Sequence, residues 1–102
     1  MATMTSTQKQ TQSDITRLKG PGKYNVIMLN DDSTPMDFVV QVLMGIFKKT
    51  AEEATDVMLE VHEKGRGIAG TYMYEVAEQK TAEVTNAARV NGFPLSATIE
   101  EA

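Results

Sequence analysis

From Tyr24 to Leu29 nearly every position is apolar and β-prone (Tyr24-Asn25-Val26-Ile27-Met28-Leu29), the pattern of a strand buried on both faces. The run stops at the polar segment Asn30-Asp31-Asp32-Ser33-Thr34-Pro35, after which the apolar period changes. Met36, Val39, Val40, Leu43, Ile46 and Phe47 fall on one broad face of a helix reaching about Lys48. Thr34, Pro35 and Asp37 predict its start: a hydroxyl at the N-cap, proline at the first helical position and an acid in the first turn. Thr50-Ala51-Glu52-Glu53 has the full Thr-x-x-Glu form of a capping box. It opens a second helix with Ala54, Val57, Met58 and Val61 inward, and Gly65 is a good stop.

Gly67 to Tyr72 is short and β-compatible, its glycines predicting a bend or a close backbone approach. From Met73 or Tyr74 the helical period returns. Val76, Ala77, Val84, Ala87 and Ala88 point inward and Glu75, Glu78, Lys80, Glu83 and Arg89 outward, up to Asn91-Gly92. Pro94 to Ile99 alternates and predicts a final edge strand. The order β-α-α-β-α-β predicts an α+β fold, a small sandwich of a three-stranded antiparallel sheet covered by three helices. Residues 1–22 are rich in Thr, Ser and Gln, have Ile15 and Leu18 as their only large branched aliphatics, and end in Gly20-Pro21-Gly22. They are expected to form a flexible N-terminal extension before a core domain at 23–102.

Composition narrows the function. A chain of 102 residues holds one small domain, and a net charge of −4 disfavours nucleic acid and favours a cationic partner group. The absence of cysteine leaves no disulfide, thiol nucleophile or thiolate metal site, in keeping with a reducing compartment. The first residues lack the apolar segment of a signal peptide, and no stretch approaches the roughly 20 apolar residues of a membrane span. A cytoplasmic protein without membrane or nucleic-acid partners is expected. Seven methionines are many, and most serve as core filler, but thioethers also suit a surface that accepts differently shaped apolar groups.

Asp31, Asp32 and the single histidine, His62, contain an acid, a base and a proton shuttle in principle. No residue marks a nucleophile on a strained turn, no Gly-rich phosphate cradle exists, and so small a domain has little volume for a water-excluding site. A small hydrolase is therefore disfavoured. The Asn-Asp-Asp run lacks the spacing of a calcium loop, and one histidine without cysteine makes no zinc site, so neither metal nor cofactor is expected. Recognition fits better. With the end of the second helix beside the polar loop, His62, Asn30 and Asp31 would surround a polar spot, and Met36, Val39, Met58 and Val61 would line an apolar pocket next to it. A peptide's free α-ammonium followed by a large first side chain has matching chemistry. The competing assignment makes the loop residues turn-formers, Asp32 and Ser33 above all, and His62 a satisfied boundary residue.

Asn30-Asp31-Asp32 with Thr34-Pro35-Met36 and Phe38-Val39, then Met58, Val61-His62 and Gly65, then Glu75-Val76-Ala77-Glu78 with Lys80, resemble in order and spacing the ClpS adaptors of bacteria. The resemblance runs from about Tyr24 to the end. It implies a non-enzymatic adaptor that captures proteins beginning with Leu, Phe, Tyr or Trp and hands them to a ClpA-type AAA+ unfoldase for degradation by ClpP. On that resemblance Asn30, Asp31, Asp32 and His62 hold the α-amino group and first peptide unit, and Thr34, Met36, Val39, Met58, Val61 and Leu95 shape the side-chain pocket. Met36 then gates against β-branched first residues, Glu75 and Lys80 dock the unfoldase N-terminal domain, and the segment before Tyr24 serves hand-over. Two positions depart from the family pattern: Asp37 stands where glutamate is common, and Met73 where a hydroxyl-bearing cap is expected. The alternative within the same resemblance is a docking modulator that inhibits or redirects the unfoldase without delivering substrate.

Overall fold

The computed structural model describes residues 22–102. All of the expected N-terminal extension except Gly22 lies outside them. Strands β1 (Lys23–Leu29), β2 (Arg66–Met73) and β3 (Ser96–Glu101) and helices α1 (Met36–Gly45), α2 (Ala51–Lys64) and α3 (Tyr74–Asn91) follow one another as β1-α1-α2-β2-α3-β3. The three strands form an antiparallel sheet in the order β2-β1-β3. This is the α+β architecture expected from the periodicities.

The most apolar strand takes the middle of the sheet, where both edges are paired and both faces can be covered. Tyr24, Val26 and Met28 face the helices and join the core with Val39, Leu43, Val61, Ala77 and Val84. Ile27 points the other way, yet is only 3% exposed. It lies between Ile68 and Thr98, and an Arg66–Glu100 ion pair links the two outer strands across it. That pair is half exposed at both ends and adds little to stability, about 0–1 kcal/mol.

The glycines of β2 have a packing reason. The register shifts between Val26 and Ile27, where Gly70 and Ile68 are their respective partners, so Ala69 is the extra residue of a bulge. A Cβ on Gly70 would lie 2.7 Å from the Tyr72 ring, and one on Gly67 would lie 2.9 Å from Val61 Cγ2. The bare backbone at Gly67 thus lets α2 settle directly on the strand.

Helix α2 has both predicted ends. Thr50 Oγ1 accepts from the Glu53 N–H at 3.1 Å, and Glu53 Oε1 accepts from the Thr50 N–H at 3.0 Å. The Thr50 backbone donor holds the Glu53 carboxyl below its ordinary pKa. The folded value being the lower one, the box stabilises above the unfolded pKa, and its contribution is lost as pH falls through the folded one. Thr50→Ala is expected to cost about 1 kcal/mol in a urea unfolding titration. Gly65 closes the helix at φ 87°, its N–H donating to Val61 O.

The last strand runs Ser96–Glu101 rather than from Pro94 to Ile99, and three further details differ from expectation. The N-cap of α1 is Pro35, not Thr34: Pro35 is extended, its carbonyl accepts from Phe38 and Val39, and the Thr34 hydroxyl turns back to Asp31 instead of onto the helix. Helix α1 stops at Gly45 rather than near Lys48, because Lys48 adopts φ 57° and Lys49 N–H donates to Leu43 O; Phe47 still reaches the core and Ile46 packs against it. Val76 is 40% exposed, because the buried stripe of α3 is Ala77, Val84 and Ala88, from which Val76 is rotated by one helical position.

Candidate functional site

The pairing of β1 with β2 builds the site. Leu29, the last residue of β1, pairs with Arg66, the first of β2, so the loop leaving β1 and the end of α2 are neighbours by construction. Asn30 N–H donates to Gly65 O at 2.9 Å, tying the loop to the helix stop. His62, three residues before Gly65, therefore faces the polar loop. These two segments, with the start of α1 and the residue before β3, enclose an open cavity of about 270 Å³ lined by Leu29, Asn30, Asp31, Asp32, Thr34, Met36, Val39, Met58, Val61, His62 and Leu95. Every residue named from the sequence for amino-group binding or for the side-chain pocket is present. Leu29 was not anticipated; its position at the strand end, next to Asn30, was the available signal.

The cavity has two chemically distinct parts. Val39, Val61 and Leu95 are buried and form an apolar floor, Met58 is half-buried, and Met36 at the mouth is 43% exposed. Asn30, Asp32 and His62 are exposed, and Asp31 and Thr34 partly so.

The two aspartates are not equivalent. Asp31 Oδ2 accepts from the Ser33 N–H at 3.1 Å and from the Thr34 hydroxyl at 2.7 Å, and the Asp31 carbonyl accepts from Thr34 N–H at 3.3 Å. Asp31, rather than Asp32 or Ser33, is thus the turn-former, and its second carboxylate oxygen remains available to a ligand. The Asp32 carboxylate has no hydrogen bond among the described residues. Acceptors at one end and an apolar floor at the other can hold a cation joined to a hydrophobic group.

Glu75 and Lys80 lie outside this cavity. Glu75 is exposed in the first turn of α3. Lys80 is partly buried: its Nζ donates to Ile46 O at 2.7 Å and sits 5.8 Å from the centre of the Tyr72 ring. It satisfies an orphan carbonyl at the end of α1 and offsets the negative end of that helix dipole.

A small α+β domain with a two-part receptor cavity between a strand-end loop and a helix end is the class that fold and site define. The model of the family described as ATP-dependent Clp protease adaptor protein ClpS matches residues 19–98, and the chain belongs to this family. It is 52% identical over 87 residues to the ATP-dependent Clp protease adapter protein ClpS of Bdellovibrio bacteriovorus, covering 85% of this chain and 76% of that one. The ClpS adapter of Acetivibrio thermocellus is 47% identical over 100 residues, 98% of either chain. Among solved structures, Agrobacterium tumefaciens ClpS2 bound to L-phenylalaninamide superposes with a TM-score of 0.78 at 35% identity, covering 80% of this chain and 99% of that one. The protein is a Clp protease adaptor by family, and among its described residues no helix is long and apolar enough to cross a membrane.

Proposed function

We propose that this chain binds proteins through a free N-terminal Leu, Phe, Tyr or Trp and delivers them to a ClpA-type AAA+ unfoldase for degradation by ClpP in the cytoplasm, itself catalysing no reaction. The observation that carries the reading is the gathering of Asn30, Asp31, Asp32 and His62 with buried apolar residues in the lining of one cavity of about 270 Å³. L-phenylalaninamide, the ligand of the Agrobacterium relative, has the corresponding chemistry: a free α-amino group, an amide and an aromatic side chain. In this reading Asp32 and the free oxygen of Asp31 receive the α-ammonium, the Asn30 amide oxygen accepts beside them, and His62 offers a ring nitrogen. Met36, Val39, Met58, Val61 and Leu95 take the side chain, with Thr34 in the same lining. Glu75 presents a free carboxylate to the unfoldase N-terminal domain, with Lys80 on the same helix.

The test is an anisotropy titration of a labelled Leu-initiated peptide beside a Val-initiated one, with a Leu-initiated reporter then followed in the presence of unfoldase, ClpP and this protein. Micromolar or tighter binding of the Leu peptide is expected, with Val at least about tenfold weaker because a branch at its Cβ meets Met36 at the mouth. Faster reporter loss should accompany it. Absence of binding by either peptide would leave the unfoldase-docking modulator as the better account.

A further inference from the structure

Met36 is placed where a single oxygen atom would change what the cavity accepts. The chain has seven methionines and no cysteine, so thioethers are its only sulfur. Met28 is fully buried in β1, and Met36, Met44 and Met73 are 43%, 41% and 47% exposed. Among the methionines of the described residues only Met36 and the half-buried Met58 line the cavity, and of these two only Met36 combines that position with an open surface.

We propose that Met36 is a peroxide-sensitive modification site whose sulfoxide closes the cavity to apolar first residues. The proposal rests on the ligand assignment above. In the step, a lone pair of the Met36 sulfur attacks one oxygen of hydrogen peroxide; the S–O bond forms as the O–O bond breaks. The other oxygen leaves as hydroxide and takes the proton from the oxygen now bound to sulfur, which gives water and the neutral sulfoxide. Sulfur loses two electrons and peroxide gains them.

The product is a strong dipole that only accepts hydrogen bonds. In the lining Asp31 and Asp32 are acceptors and the Thr34 hydroxyl proton is already directed at Asp31 Oδ2, which leaves Asn30 and His62 as the side chains with N–H donors. Held by water or by those donors, the sulfoxide oxygen carries hydrogen bonds that an entering Leu or Phe side chain must strip away without replacement. Because Met36 lies at the mouth, outside the buried core, the fold itself is left intact by the same modification.

The experiment treats the whole chain with graded hydrogen peroxide, maps the added oxygen by mass spectrometry, and titrates the labelled Leu-initiated peptide before and after. Conversion of Met36 is expected to weaken binding at least about tenfold with an unchanged thermal transition, and methionine sulfoxide reductases should restore it. Met44→Leu and Met73→Leu should lose affinity on treatment as the parent does, whereas Met36→Leu should keep its own untreated affinity. Oxidised Met36 with undiminished binding would overturn the proposal. So would an equal loss in Met36→Leu, which would transfer the sensitivity to Met58, or oxidation of Met44 and Met73 that spares Met36. Failure of untreated protein to bind the peptide would instead overturn the ligand assignment, and the proposal with it.

Discussion

A Leu-initiated peptide acetylated on its α-nitrogen is expected to bind at least about a hundredfold more weakly than the free peptide. Acetylation removes the charge and two of the three N–H donors, and it adds an acetyl group to the nitrogen that the acids are proposed to receive. Hydrogen bonds to a charged partner are worth roughly 1.5–3 kcal/mol each, so losing two of them is about 3 kcal/mol or more, and each 1.4 kcal/mol is tenfold. Asp32 and the free oxygen of Asp31 would then face a neutral amide with no charge to balance theirs. Asparagine substitutions separate the two acids. Asp32→Asn should weaken capture without altering the loop, because nothing else among the described residues engages that side chain. Asp31→Asn keeps an oxygen to accept from Ser33 and Thr34 and so removes charge while sparing the turn. Equal affinity for free and acetylated peptides, measured by the same titration, would remove the basis for assigning an ammonium to this end of the cavity.

Leu43→Ala is expected to lower the unfolding free energy by about 2–5 kcal/mol, read as a shift of the urea midpoint. Leu43 is fully buried on α1, among the largest side chains of the core. The site collapses poorly after truncation, because the strand beneath it is held by ladders on both edges. For a domain whose whole stability is of order 5–15 kcal/mol, such a loss is a substantial fraction. It also reaches the cavity, since α1 carries Met36 and Val39 at its other end. A cost below about 1 kcal/mol would mean that α1 repacks freely on α2, which would leave Val39 an unreliable floor.

The features legible in the sequence are those set by local rules. The switch from a fully apolar run to a 3.6-residue period placed β1 and α1, and Thr50-x-x-Glu53 and Gly65 marked α2 at both ends. Asn30, Asp31, His62, Met36, Val39, Met58 and Val61 followed from setting the end of the second helix beside the polar loop, and Asp32, Thr34 and Leu95 from the resemblance; they converge because β1 pairs with β2 on one edge and with β3 on the other. What escaped were choices decided between distant or competing partners. Thr34 could cap α1 or bond Asp31, and only the folded loop shows the carboxylate winning. Lys80 finds its acceptor at Ile46, 34 residues away, which no spacing rule anticipates. Lys48 ends α1 in a left-handed conformation that sequence reading reserves for glycine or asparagine.

The Asn30 to Gly65 bond joins two backbones, as do the rungs of the β1–β2 ladder leading to it. The loop after β1 is therefore moored by backbone groups, while the cavity walls at Met36 and Met58 contribute side chains that are not fully buried. The shape of the cavity and foldedness can vary separately here. A library randomised at those two positions is expected to reshape the cavity wall with most of its members still folded.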